Sequence, residues 1–94
     1  MNEKFTANKD MKELFDAVAK LKTADECKKF FRDICTLSEL NGMAERLKVA
    51  KLLQKDISYR EISRKTKAST TTVTRVAHWL HHGTGGYGIV LKRI

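Results

Sequence analysis

Hydroxyl-bearing side chains are concentrated in one short segment, which reads STTTVTR from Ser69 to Arg75. A hydroxyl can donate to or accept from a base edge or a phosphate, and an arginine can bind guanine or phosphate through two parallel hydrogen bonds. Threonine is a mediocre helix former, so the four threonines at positions 70–74 need a reason beyond helix formation. The alternative explanation is a helix cap followed by an ordinary solvated helix face.

Positive charge surrounds this segment. Four basic side chains precede it: Arg60, Arg64, Lys65 and Lys67. Residues 1–45 carry 8 basic and 9 acidic side chains, a net charge of −1, whereas residues 46–94 carry 11 and 2, a net charge of +9. A basic half without an amphipathic membrane anchor favours a polyphosphate partner. A basic face that binds an acidic protein, as in a small helical adaptor, is the alternative.

The stretch from Tyr59 to Leu80 has the pattern of a helix-turn-helix unit, in which a turn of about three residues joins two short helices. Apolar residues stand where the two helices must touch, at Ile62, Ala68, Val73 and Val76. The small Ser63 stands where the first helix meets the second. The first turn of the second helix enters the major groove of DNA, so it needs short polar side chains.

These patterns predict a surface that binds double-stranded DNA. Its nine residues are Arg60, Arg64, Lys65, Lys67, Ser69, Thr70, Thr71, Thr74 and Arg75. Contacts to bases or adjacent phosphates are expected from Thr70, Thr71, Thr74 and Arg75. The four cations that precede Ser69 are expected mainly to hold the DNA backbone.

The elements that position this surface are predicted to be helices throughout. The chain has no proline, and glycine is scarce before Gly83. Apolar residues spaced three and four apart predict helices over 11–21 and 37–54. Between them, a helix that follows Thr23 is predicted to place four apolar residues on one face: Cys27, Phe30, Phe31 and Ile34. Capping boxes, in which a serine or threonine is followed three residues later by glutamate, mark helix starts at Thr23, Thr36 and Ser58.

We therefore expect an all-α fold with one domain over residues 1–94. Residues 8–54 would form dimerisation helices, 58–82 the helix-turn-helix unit and 83–94 a glycine-rich flexible tail. A chain of 94 residues leaves much of its surface exposed, and residues 37–53 have a broad apolar surface. Both features favour a homodimer.

The sequence LSELNGMAERLKVAKLLQKDISYREISRKTKASTTTVTRVAHWL, from Leu37 to Leu80, resembles the Trp repressor superfamily and most of all its YerC/YecD branch. The shared features are a leucine-rich helix ending in LL, then S-x-R-E-[IL], then T-[VI]-T-R. The resemblance implies a Trp repressor-like helical bundle. It also implies an intertwined homodimer that presents two reading heads to a pseudo-palindromic operator. Such a protein regulates transcription, most often as a repressor.

The chain departs from this family at the turn, where Lys67 stands in place of glycine. If Lys67 keeps a positive φ, lysine costs about 1 kcal/mol more than glycine there. Alternatively, the backbone relaxes. A lysine at this position could also meet a phosphate.

A second departure concerns the co-repressor. Trp repressors hold tryptophan between two arginines, beside small residues on the reading helix. Arg75 matches one arginine, but the other position falls on Glu45, with Arg46 adjacent, and Val76 and Trp79 occupy the small positions. Arg46 and Arg75 are therefore the possible ligand-binding residues. Because a glutamate would repel a carboxylate and the bulkier side chains would fill the indole space, we expect no dependence on tryptophan and no cofactor. The alternative is a different small molecule that binds in a reshaped cavity.

Other chemistries are not predicted. His78 and His82 lie one helical turn apart, but two histidines do not make a zinc site, so no metal is expected. The glycines after His82 lack the lysine and hydroxyl residue of a phosphate loop, and no catalytic set of side chains is present, so the chain is not predicted to be an enzyme. No apolar segment marks the chain for export or for a membrane, which predicts a cytoplasmic location with Cys27 and Cys35 as free thiols.

Overall fold

The computed structural model describes residues 5–94, and every regular element in that range is an α-helix, which confirms the all-α prediction. The helices are α1 (Lys9–Ala19), α2 (Ala24–Ile34), α3 (Leu37–Leu53), α4 (Tyr59–Thr66), α5 (Thr70–His82) and α6 (Gly86–Leu91). The chain divides into two compact units, Met1–Thr36 and Leu37–Ile94. None of the helices described is long and apolar enough to span a membrane.

The first unit contains α1 and α2, which begin at capped residues. Asn8 Oδ1 accepts a hydrogen bond from the Met11 amide at 2.8 Å, and Thr23 Oγ1 accepts one from the Glu26 amide at 3.1 Å. Neither helix has a fully buried residue, and Phe15 and Ile34 are about half exposed, at 49% and 52%. The apolar faces of these two helices are therefore incompletely covered within a single chain.

The second unit holds the hydrophobic core. Helix α3 packs against α4, α5 and α6, while α4 and α6 also pack against α5. The core side chains, each at most 2% exposed, are Val49, Ala50, Ile62, Ala68, Val73 and Val76. The four apolar residues predicted to join the two helices of the helix-turn-helix unit are all in this core.

The boundaries of these units differ from the predicted organisation. Helix α3 lies within the segment 8–54 that was expected to form dimerisation helices. Its Val49 and Ala50 are fully buried in the same cluster as the helix-turn-helix residues, so α3 is part of that unit's core. The chain divides into compact units after Thr36, and the single domain over 1–94 stays a prediction. The dimerisation role of residues 8–54 stays a prediction.

The prediction of a flexible tail over 83–94 is wrong for Gly86–Leu91, which forms α6. Gly85 precedes this helix with a φ of +92°, a conformation that glycine adopts without strain. Tyr87 and Leu91, four residues apart and so on one face of α6, pack against the core. This tertiary contact stabilises a six-residue helix that its two glycines would not indicate.

Candidate nucleic-acid interface

Ser58 is the N-cap of helix α4, and its Oγ accepts a hydrogen bond from the Glu61 amide at 3.2 Å. The Glu61 carboxylate does not cap the helix in return. Instead it accepts hydrogen bonds from the Arg64 guanidinium, including one from Nε to Oε2 at 3.1 Å. The Arg64 hydrogen bond lowers the pKa of Glu61 and raises that of Arg64, so both groups are charged at neutral pH. Arg64 is thus an exposed cation that already has a partner.

The turn between α4 and α5 is held by side-chain hydrogen bonds. Thr66 Oγ1 donates to the Ile62 carbonyl at 2.7 Å and accepts from the Ala68 amide at 3.2 Å. Ser63 Oγ donates to the Ala68 carbonyl at 2.5 Å, which is the reason that a small hydroxyl residue suits this position. Lys67, at the centre of the turn, has a φ of +63° and ψ of +5°, the left-handed conformation. The condition under which lysine costs stability at this position is therefore met.

Ser69 is the N-cap of helix α5, and its hydroxyl is engaged in the cap. It accepts from the Thr72 amide and donates to Thr72 Oγ1, both at 3.1 Å. Ser69 was predicted as a DNA-binding residue, but its hydroxyl serves the start of the helix in this structure. The capping hydrogen bonds hold the first turn of α5 in place for the residues that follow.

The exposed face of α5 presents three kinds of group. The hydroxyls of Thr70 and Thr71 make no hydrogen bond within residues 5–94 and are free to contact a ligand. Thr74 Oγ1 donates to the Thr70 carbonyl at 2.9 Å, which leaves its oxygen lone pairs as acceptors and its methyl group for apolar contact. Arg75 is exposed and forms no ion pair in the described part of the chain.

All nine residues predicted to bind DNA are exposed and lie on α4, the turn or the first half of α5. Among the cations, Arg60, Lys65, Lys67 and Arg75 have no acidic partner among residues 5–94. Glu61 is the last acidic side chain of the sequence. This surface can therefore attract anions but offers only one carboxylate to repel them.

Sequence reasoning missed the supporting residues Thr66 and Thr72. Their hydroxyls fix the turn and the first turn of α5 rather than facing a partner. The supporting role of Thr72 is indicated by its position three residues after Ser69, which is the separation between an N-cap residue and the amide that donates to it. Thr66 is four residues beyond Ile62, the spacing of a hydroxyl that bonds back to its own helix.

The possible ligand-binding residues lie on different helices. Arg46 is exposed on α3, and its Nη1 lies 3.5 Å from the position that a Cβ atom on Gly42 would occupy. Val76 is buried in the core, at 2% exposed, so it leaves no space beside α5 at that position. Trp79 is 45% exposed and makes an edge contact with His78, at 5.2 Å between ring centroids. Within a single chain, therefore, Val76 fills space in the interior but Trp79 does not.

Known proteins with similar sequences and structures cover nearly the whole chain. The family model described as Trp repressor protein matches residues 9–94. The uncharacterized protein YerC of Bacillus subtilis (strain 168) is 38% identical over 86 residues, which are 92% of this chain and 83% of YerC.

Two crystal structures are similar. A TrpR-like protein from Eubacterium eligens ATCC 27750 has a TM-score of 0.86 and 40% identity, covering 92% of this chain and 89% of that one. A candidate Trp repressor from Staphylococcus aureus has a TM-score of 0.86 and 37% identity, covering 93% and 87%. The family is one of DNA-binding regulators and not of enzymes. The family model matches residues 9–94, YerC is similar in sequence, and the structure has an exposed helix-turn-helix unit. Together these findings show that this chain belongs to the Trp repressor protein family.

Proposed function

We propose that this protein is a sequence-specific regulator of transcription, acting in the cytoplasm as a repressor, which binds an operator as a homodimer. The observation that carries the proposal is the exposed face of α4 and α5. The hydroxyls of Thr70 and Thr71 and the guanidinium of Arg75, which have no side-chain partner among residues 5–94, lie on the helix that would enter the major groove. The core residues beneath hold that helix in a fixed position against α3 and α4.

The groups on this face divide by the chemistry they offer. Thr70, Thr71 and Arg75 can donate hydrogen bonds to base edges, and the Thr74 methyl can contact the methyl group of thymine. Arg60, Lys65 and Lys67 have no acidic partner among residues 5–94 and supply contacts to phosphates. Arg64 would have to leave Glu61, or share it, in order to bind a phosphate.

The proposed homodimer is supported by the apolar surface that one chain leaves exposed. Helices α1 and α2 bury no residue fully, and Leu37 and Met43 on α3 are 58% and 37% exposed. On α6, Ile89 is 54% exposed. Monomeric proteins rarely expose so many large apolar side chains without a partner, and a second copy would cover them.

We also propose that binding to the operator does not require tryptophan. Val76 is buried where the family keeps a small residue, and Glu45, partly buried on α3, stands where the family has an arginine. A carboxylate there would repel the carboxylate of an amino acid. The Trp79 ring is exposed within one chain, so it would occupy the space of a tryptophan ligand only if a second chain covered it.

The test of the proposed function is the affinity for a random-sequence DNA duplex, measured by fluorescence anisotropy at several salt concentrations. Because bound cations release counterions from phosphates, the logarithm of the binding constant should fall steeply and linearly with the logarithm of the salt concentration. A protein with Arg60, Lys65 and Arg75 all replaced by alanine should lose most of this slope. An adaptor for an acidic protein would show no salt-dependent binding to duplex DNA, and that result would reject the proposal.

Calorimetry with L-tryptophan tests the independence from a co-repressor. No saturable heat is expected at micromolar tryptophan, and operator affinity should be the same with and without the amino acid. Saturable binding together with a tighter complex with DNA would contradict this part of the proposal.

A further inference from the structure

The backbone at Lys67 is held in a conformation that lysine disfavours. Its φ of +63° belongs to the left-handed region, where glycine is stable and where a Cβ atom meets the following carbonyl oxygen. Asp56, with a φ of +59°, is the other non-glycine residue with positive φ in the described part of the chain. Aspartate tolerates this region because its short carboxylate bonds locally, but lysine has no such compensation. Lys67 therefore needs an explanation that Asp56 does not.

The neighbours of Lys67 impose this conformation on it. The Lys67 amide donates to the Ser63 carbonyl at 2.9 Å, closing the last turn of α4. On the other side, Ala68 is 2% exposed in the core and is held through both its amide and its carbonyl by Thr66 and Ser63. With both flanks fixed, the turn keeps its left-handed residue whichever side chain that residue carries.

No ion pair or side-chain hydrogen bond among residues 5–94 compensates for the strain. Lys67 is exposed and forms no ion pair or side-chain hydrogen bond among residues 5–94. The sequence has no acidic residue after Glu61, and Glu61 is already bonded to Arg64. The terminus of α4 already carries Arg64 and Lys65 in its last turn, so a third cation adds little to the helix dipole. The ammonium group is therefore available to an anion outside the chain.

We propose that Lys67 is a positioning residue for DNA, retained at the cost of a less stable turn. Lys67 lies three residues before Thr70. Its ammonium would bind a phosphate beside the first turn of α5 and so fix how deeply that helix enters the major groove. A phosphate contact is independent of sequence and sensitive to salt. The inference rests on the proposed function, because it names the external anion as the DNA backbone.

Three substitutions in the full-length chain test it. Lys67→Gly removes both the strain and the charge, Lys67→Asn removes the charge in a residue that tolerates the left-handed region, and Lys67→Arg keeps both. We expect Lys67→Gly to raise the midpoint of urea unfolding, and Lys67→Arg to leave it near that of the parent.

DNA binding should respond in the opposite way. For Lys67→Gly and Lys67→Asn, the salt slope on a random-sequence duplex should fall by about one per chain, and affinity should fall by the same factor on any sequence. Lys67→Arg should keep the parent slope. A Lys67→Gly protein with the slope and affinity of the parent would overturn the inference while leaving the proposed function intact. Failure of the parent itself to bind duplex DNA would instead reject the proposed function.

Discussion

At the residue scale, Arg75 and Thr71 lie one turn apart on the exposed face of α5, where a guanidinium and a hydroxyl can reach the same groove. Neither group is used in folding within residues 5–94, in contrast to Ser69 and Thr72 beside them. The face therefore combines side chains that stabilise the helix with side chains that stay available to a partner.

Arg75→Ala should weaken binding to a selected operator by about 1–3 kcal/mol, because a guanidinium that binds a base edge by two hydrogen bonds is lost. The matched variant Arg75→Lys keeps the charge and should restore binding to random DNA more than binding to the operator. Competition anisotropy with both duplexes gives the two affinities. Undiminished operator binding by Arg75→Ala would show that another residue reads the bases.

Glu61→Gln should tighten binding to random-sequence DNA, since it removes the carboxylate that holds Arg64 and leaves that guanidinium available to a phosphate. The gain should shrink as salt is raised, because the added contact is electrostatic. Glu13→Gln on α1 makes the same change in net charge and is the control. Equal effects of the two substitutions would mean that net charge alone is responsible.

The Glu61–Arg64 pair also has a defined pH dependence. The pKa of Glu61 is lowered in the folded chain by the Arg64 hydrogen bond, so the pair contributes stability above the unfolded-state pKa of the carboxyl. That contribution is lost as the pH falls through the lowered pKa. At neutral pH the pair is intact, which is why the substitution is needed to release Arg64.

Residue types and spacing could predict which side chains are exposed, since all nine predicted DNA-binding residues lie on the outside of the unit. The partners of those side chains could not be predicted. Arg64 bonds to a carboxylate three residues away, and Ser69 bonds to a helix amide. Until the backbone is fixed, solvent and other neighbouring groups compete with these partners. Hydrogen-bond partners therefore require the structure.

At the scale of elements, helix starts were the most predictable feature. The hydroxyl of Thr23 and that of Ser58 each accept from the amide three residues on, as the serine or threonine of a capping box should. The glutamate of the box at Ser58 bonds to Arg64 instead. Helix α6 could not be predicted in the same way. It has glycine at positions 86 and 88, and its stability comes from packing Tyr87 and Leu91 onto a core distant in sequence.

Ser69→Ala should lower the free energy of unfolding by about 1 kcal/mol, because the N-cap hydrogen bond of α5 is lost. Ser69→Asp should retain the cap and the stability, yet weaken DNA binding by placing a negative charge among phosphates. Ser69→Asn is the neutral control that keeps the cap. If Ser69→Asn bound DNA as weakly as Ser69→Asp, the effect of the aspartate would be steric rather than electrostatic.

Gly83→Ala should destabilise the chain by about 1–3 kcal/mol, because a Cβ atom there would overlap the Trp79 carbonyl oxygen and lie 3.3 Å from its carbon. Gly88→Ala is the matched control. It lies within α6 with no neighbouring atom within 4 Å of the added Cβ, so it should stabilise by about 0.5–1 kcal/mol. Urea unfolding measures both, and the absence of any difference between them would contradict the geometry at the end of α5.

At the scale of the whole molecule, the exposed apolar side chains are the feature that one chain leaves unexplained. They occur in both compact units, for example at Phe15 in the first and at Trp79 and Ile89 in the second. The sequence favours a homodimer, because a short chain leaves much of its surface exposed, and the homodimer stays a proposal. The arrangement of two chains lies beyond what periodicity can predict.

Trp79 is the only tryptophan in the chain, so its fluorescence reports on its environment. If a second copy covers this ring, dilution from micromolar to nanomolar concentration should separate the two chains and uncover the ring, which is 45% exposed in a single chain. The emission of Trp79 should then shift to longer wavelength. Sedimentation equilibrium should give twice the mass of one chain at micromolar concentration. A single-chain mass there, with emission independent of concentration, would contradict the proposed homodimer.

The most direct test of the central claim is selection of DNA from a random pool, followed by sequencing of the bound fragments. A dimer that reads DNA through two copies of α5 should enrich an inverted repeat, with half-site centres about 10 base pairs or a multiple of that distance apart. The same selection with Arg75→Ala should lose preference at one or more positions in each half-site. Enrichment of no sequence, or of an identical motif by the parent and Arg75→Ala, would contradict the assignment of α5 as the reading helix.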